Sequence, residues 1–172
     1  MKVLIRDLTI HDAQKLLELS NEVLEEDRWF VSCPGEGPSS SVDLQKKWME
    51  KVVCNHCNLL IVAEIDGLIV GMLDFHQNET KGRLNHTGSF SIAVLKDFRG
   101  IGIGCGLINY LVDWGNENPE IEKIEVNVLS TNEEAFCLFK KIGFEEEGRK
   151  LHQVKYSDGT YAHEIMMALW VG

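Results

Sequence analysis

The chain opens on an alternating stretch, KVLIRDL, whose apolar positions recur every second residue and predict a strand. TIHDAQKLLELSNEVLEE follows. It sets Ile10, Ala13, Leu16, Leu17, Leu19 and Val23 near helical spacing, with Thr9 or the His11–Asp12 pair at its start. CPGEGPSSS holds two of the three prolines and reads as a loop. SVDLQKKWMEKVV resumes the helical period, with Ser41 as its expected cap. NLLIVAEI and LIVGMLDFHQ are apolar runs on either side of Asp66–Gly67, a hairpin signal. GSFSIAVL is a third strand in this series. GLINYLVDWGNE then reads as helix, IEKIEVNVL as strand and STNEEAFCLFKKIG as helix. FEEEGRKLHQVKY and TYAHEIMMALWV, joined by SDG, read as a closing hairpin. The predicted order is β-α-α-β-β-β-α-β-α-β-β. That is a mixed α/β (α+β) fold, expected to be one domain over residues 1–172 without repeat or linker.

Composition narrows the functional classes. Of 172 residues, 44% are hydrophobic and 26% charged, an ordinary globular balance. The formal net charge is −10, so the basic face of a nucleic-acid binder is not expected. An acidic surface suits a small cationic partner instead. No apolar run approaches the roughly 20 residues of a membrane span. The first residues meet an acid too early for a signal peptide, and a cytoplasmic protein is expected. Among the five cysteines, CNHC (Cys54, His56, Cys57) has the spacing of a zinc half-site. A second pair with that spacing is missing downstream, so the reading is a turn before a strand and no metal is expected.

The chemistry concentrates in VLKDFRGIGIGCGLINYLVDWG. Gly100, Gly102, Gly104 and Gly106 stand directly before a helical pattern, although glycine costs a helix roughly 1 kcal/mol relative to alanine. A helix entry has unsatisfied N–H groups and a partial positive charge, and glycines let a phosphate approach them. A phosphate seated on this turn explains the glycines. The mononucleotide loop G-x-x-x-x-G-K-[ST] is absent. The dinucleotide fingerprint also fails, because Leu107 and Cys105 stand where its third glycine belongs.

Arg99-Gly100-Ile101-Gly102-Ile103-Gly104 matches R-x-x-G-x-G and resembles the acetyl-CoA pyrophosphate loop of the GNAT N-acetyltransferase superfamily. NEEAFCLFKKIGF, from Asn132 to Phe144, is similar to that family's second signature, N-x-x-A-x-x-L-[YF]-x-x-x-G-F. A helix and a strand separate the two, as in the family. The tail resembles the closing hairpin of the amino-acid, ribosomal-protein and polyamine acetylating branches. The resemblance implies the acyl-CoA N-acyltransferase fold: a mixed central sheet splayed between the fourth and fifth strands, with about four flanking helices. It implies acetyl-CoA as co-substrate, the backbone of Ile92, Ala93 and Val94 along the pantetheine arm, and the N–H groups of Ile101 to Gly106, Cys105 included, on the pyrophosphate, with Arg99 beside it. Asn132 and Ala135 would border the pantetheine, and Lys141 or Lys140 would reach the adenosine phosphates. A homodimer is a further expectation of this kind.

Phe139 departs from many relatives, which carry a Tyr there as general acid for the thiolate. A thiol of pKa about 8.5 leaves tolerably without help. Tyr110, Tyr156 and Tyr161 have no sequence signal placing them at the sulfur. An amine of pKa about 10.4 must lose a proton to attack. The candidate bases are Glu26, within the acidic cluster Glu22, Glu25, Glu26 and Asp27, then Asp74, and His86. The acceptor pocket is expected from residues 25–45 and the closing hairpin, with Trp29, Phe30 and Trp48 as possible lining and PGEGPSSS as a mobile lid. The expected function is acetyl transfer to a primary amine by direct attack in a ternary complex, on a small cationic amine. Alternatives are a protein N-terminus or lysine as acceptor, or a non-catalytic acyl-CoA sensor, which Phe139 suggests.

Overall fold

The computed structural model describes residues 2–26, 28–30, 40–78 and 82–172. The strands are β1 (Leu4–Asp7), β2 (Leu59–Ile65), β3 (Leu68–Gln77), β4 (Thr87–Val94), β5 (Lys123–Leu129), β6 (Glu145–Lys155) and β7 (Tyr161–Trp170). The helices are α1 (Ala13–Leu24), α2 (Val42–Val53), α3 (Ile103–Glu117) and α4 (Glu133–Ile142). The element order is the one the sequence pattern predicts. Asp27, Cys33 and residues 34–39 of the expected lid lie outside the described residues.

The sheet order is β1-β2-β3-β4-β5-β7-β6. Every neighbouring pair is antiparallel except β4 and β5. Each face has its own core. Ile61, Ala63, Leu73 and Phe75 pack with Leu107, Ile108 and Leu111 of α3 on one side. Leu60, Val62 and Met72 pack with Leu16, Leu19 and Val23 of α1 and Met49 and Val52 of α2 on the other. β2 therefore feeds both cores, which is why LLIVA reads as a continuous apolar run rather than an alternation. Each fully buried aliphatic side chain here contributes about 1.5–3 kcal/mol.

Local chemistry sets the boundaries. Asp66 and Gly67 take φ of 49° and 85°, both positive as a type I′ hairpin turn requires. Ser41 Oγ accepts from Leu44 N at 3.3 Å and starts α2. Before α1, the Asp12 carboxylate accepts from Thr9 N and Thr9 Oγ, both at 2.9 Å. Arg6 on β1 donates to Asp12 (2.8 and 2.9 Å) and to Glu64 of β2 (2.6 and 3.0 Å), which ties the edge strand to the helix entry. The Arg6 guanidinium and the Thr9 donors hold the Asp12 carboxyl well below the usual carboxylate range.

The sheet forks in its middle. β4 and β5 pair only at Thr87–Lys123, Gly88–Ile124 and Ser89–Glu125. Beyond Ser89, β4 keeps its ladder with β3 as far as Val94, and β5 keeps its ladder with β7 as far as Leu129. The two inner edges diverge while each outer edge stays bonded. Phe90, Phe139 and Phe144 pack at the fork, with ring centroids 5.7–5.8 Å apart.

Candidate active site

A cavity of about 560 Å³ opens along the fork. Its floor is the end of β4, Ile92, Ala93 and Val94. The β4–α3 turn supplies Arg99, Gly100, Gly102, Gly104 and Cys105, and α4 supplies Asn132, Ala135, Phe139 and Lys141. Twelve of the fourteen residues expected at a cofactor thus surround one space. Ile101 and Ile103 are the other two. Ile101 is 51% exposed, and Ile103 is buried in the core under α3. Both stand on the turn and could contribute only backbone to that space. Trp29 and Phe30 line this cavity as well.

The four glycines divide by cause. Gly100 and Gly102 have φ of 73° and 93°, a conformation side chains resist, and nothing lies within 4 Å of where a Cβ would stand. Gly102 caps α3 and leaves the first N–H groups, those of Ile103, Gly104 and Cys105, without partners inside the helix. Gly106 serves packing. A Cβ there would stand 3.1 Å from Ile5 Cδ1, and its N–H already donates to Gly102 O at 2.9 Å. The expectation that the N–H donors run through Gly106 is therefore corrected: the turn's open donors end at Cys105.

Asn132 caps α4, its Oδ1 accepting from Ala135 N at 3.2 Å. Its rivals are engaged elsewhere: Ser130 Oγ accepts from His163 N at 2.9 Å, and Thr131 Oγ1 bonds Tyr156 Oη at 2.9 Å. Phe139 is 2% exposed and presents only ring carbon to the cavity. Tyr156 Oη also donates to Arg28 O at 3.1 Å.

Arg99 is already occupied. Its Nε donates to Val94 O at 2.9 Å, and both terminal nitrogens donate to the Glu26 carboxylate, Nη1 at 2.8 Å. Trp29 Nε1 donates to the same carboxylate at 2.9 Å. These partners, Arg99 first, hold Glu26 below the usual carboxylate range. A carboxylate so held is a weak base, and its place is beside the cavity-lining Arg99 and Trp29, where α1 ends against the glycine turn. Glu22 and Glu25 are exposed at that helix end.

Asp74 sits differently. It is 7% exposed and faces the α1/α2 side of the sheet, opposite Ser91 in the β3–β4 ladder. Its Oδ2 lies 2.9 Å from His76 Nε2. His76 stands opposite Ser89, the last β4 residue paired with β5. The His76 ring lies 6.0 Å from the Trp48 ring of α2. His76, Ser89, Glu125 and Trp48 border a second cavity of about 830 Å³ on this face. His76 was not singled out by sequence. Its signal was available, since residues two apart on a strand share a face, but a D-x-H pair on an apolar strand has no distinctive motif. His86 lies at the opposite end of β4, its ring stacked on Trp170 at 6.3 Å.

The acetyltransferase (GNAT) domain family matches residues 5–166. The chain is 28% identical over 122 residues to an L-amino acid N-acetyltransferase of Escherichia coli (strain K12), covering 69% of this chain and 75% of that protein. It is 23% identical over 171 residues to the spermidine N(1)-acetyltransferase of the same organism, covering 98% and 86%. Its fold matches the GNAT superfamily phosphinothricin acetyltransferase of Sinorhizobium meliloti, solved in complex with acetyl-CoA, with a TM-score of 0.84 at 17% identity, covering 100% and 90%. A glycine turn at a helix entry, a forked sheet and a match over nearly the whole length lead to one conclusion: the chain belongs to the GNAT acetyltransferase family and is an N-acetyltransferase.

Proposed function

We propose that this enzyme moves the acetyl group of acetyl-CoA to a primary amine by direct attack, with the two substrates entering from opposite faces of the sheet. The observation that carries this reading is the fork itself. One strand, β4, lends Ile92–Val94 to the first cavity and Ser89 to the second. The pyrophosphate rests on the N–H groups of Ile103, Gly104 and Cys105, where the helix end carries about half a positive charge. The pantetheine arm follows the unpaired edge of β4 as an added strand would. Lys141 supplies a cation near the phosphates. Acetyl-CoA contributes the activated thioester, and the acetyl–sulfur bond breaks as the amine nitrogen bonds the carbonyl carbon.

The chain's own task is then proton removal. His76 Nε2–H donates to Asp74, which fixes the ring and leaves Nδ1 to accept the ammonium proton directly or through water. Glu26 is assigned away from this role because it is bonded to Arg99. Phe139 has no hydroxyl to donate where many relatives carry a tyrosine, and in this reading the departing thiolate takes its proton from solvent. General acid help is worth about 10²–10⁴-fold, so its absence slows the step without stopping it.

The acceptor is a small amine carrying positive charge. The net charge of −10 supports this, as does a relative named for spermidine; a relative named for L-amino acids supports a small acceptor. Free-thiol release from acetyl-CoA across polyamines, amino acids, aminoglycosides and short peptides tests it. Release that depends on one amine class, and that Gly102→Glu abolishes, is expected. Tight acetyl-CoA binding with no thiol release from any amine would sink the proposal.

A further inference from the structure

The CNHC segment finds its missing partner across the fold rather than downstream in sequence. α2 ends at Val53, and the turn into β2 carries His56 and Cys57. The connection between α3 and β5 brings Glu120 to the same place. His56 Nε2 lies 2.7 Å from Glu120 Oε1, and the His56 nitrogen, Cys57 sulfur and Glu120 oxygen all lie within 4.8 Å of one another. Both loops are braced. Cys57 N donates to Asn55 Oδ1 at 2.8 Å, and Glu120 N donates to Asn118 Oδ1 at 3.1 Å.

We propose that His56, Cys57 and Glu120 form a binding site for a divalent transition metal, zinc in the first instance, with a fourth position open to water. The set is one imidazole, one thiolate and one carboxylate, the donor classes that zinc accepts. Cys57 is 1% exposed while His56 and Glu120 face solvent. The sulfur thus forms the protected base of the site, and the other two close over it. Tetrahedral zinc at its usual bond lengths spaces its ligands about 3.3–3.8 Å apart. To reach that spacing the His56–Glu120 hydrogen bond at 2.7 Å would open to let the metal in, and the atoms now up to 4.8 Å apart would draw together. Binding breaks the Cys57 S–H bond, forms a metal–sulfur bond and releases one proton to solvent. Cys54, the first half of the C-x-x-C spacing, lies outside the cluster. The site borders the second cavity through His56. A bound metal would thus fix the turn that edges the acceptor side.

The full chain, reduced and stripped with a chelator, would be titrated with cobalt(II) and then with zinc. One equivalent of cobalt is expected to give the d–d absorption of four-coordination and a sulfur-to-cobalt charge-transfer band, with one proton released; zinc abolishes both bands. Cys57→Ser removes the charge-transfer band. His56→Ala and Glu120→Ala, both at exposed positions, each weaken binding by more than about tenfold, the least that losing a metal's supporting group costs. Cys54→Ala changes nothing. Cobalt bound without the charge-transfer band, no binding by the folded chain, or loss of binding in Cys54→Ala each overturns the site. None of these readouts depends on acetyl transfer.

Discussion

Gly102 and Gly106 offer a paired test of why the β4–α3 turn is built from glycine. Gly102 holds φ of 93° with open space around its missing Cβ. Gly102→Ala therefore meets no atom of the protein and costs only the backbone conformation, about 1–2 kcal/mol. For a chain of this size, each kcal/mol moves the thermal midpoint by about 2–4 °C, so a fall of about 2–8 °C is expected. Gly106 sits inside α3 at helical φ. Its Ala variant gains roughly 1 kcal/mol of helix propensity and pushes the Cβ to 3.1 Å from Ile5 Cδ1, the tip of a half-buried side chain that can turn aside. Its midpoint should hold or rise slightly. The assay is thermal unfolding with and without acetyl-CoA. Saturation at 100 times the Kd adds about 2.7 kcal/mol, a rise of about 5–11 °C that Gly106→Ala should preserve. If Gly102→Ala unfolds like the native chain while Gly106→Ala is the destabilised one, the glycine pattern is set by packing and the reasoning fails.

Three further outcomes are expected. Glu26→Gln removes a negative charge beside the phosphate turn and frees Arg99 from its ion pair. Acetyl-CoA should bind about 3–10-fold tighter by calorimetry at low salt, the scale of one partly screened charge, and the gain should shrink as salt rises; weaker binding would mean that Glu26 serves by aiming Arg99. Asp74→Asn and His76→Gln should each lower kcat by about 10²–10⁴-fold, the usual worth of a base, while the Kd for acetyl-CoA holds; an unchanged kcat in His76→Gln removes that pair from the mechanism. The Asp12 carboxyl is depressed in the fold, so the stability it adds is present above the unfolded carboxyl pKa, about 4, and is lost as pH falls through the lower folded value. Urea unfolding should therefore show native and Asp12→Asn chains converging in acid and separated at neutral pH, with Asp12→Asn the weaker.

The elements were legible because each carries a local cause. Asp66–Gly67 forces a turn, Ser41 and Asn132 cap, and Leu16, Leu19 and Val23 repeat at helical spacing. That Arg99 to Cys105 and Asn132 to Lys141 share one cavity follows from two motifs that are short and sit at element ends. What sequence did not show was the result of chain crossings. Arg99 meets Glu26 across 73 positions, and no local pattern pairs them. The base candidates divided for the same reason. Asp74 and His76 share a face by strand period, but only the ladder to Ser89 and Ser91 brings that face to the fork. Glu120 reaches His56 across 64 positions, so a search for a second cysteine pair misses it.

The three-pair stitch between β4 and β5 also bears on how the molecule assembles. β2, β3 and β4 follow one another in the chain and pair as neighbours. Their loop-closure cost is small, and they can form early. β5, β7 and β6 make a second local set, joined to the first along the sheet by only Thr87, Gly88 and Ser89. The cavity along the fork, proposed above for the acetyl donor, lies between these sets. On that proposal a nascent chain would gain its ligand site only when its last strands have docked, and acetyl-CoA would act as a latch on the completed fold rather than on any half of it.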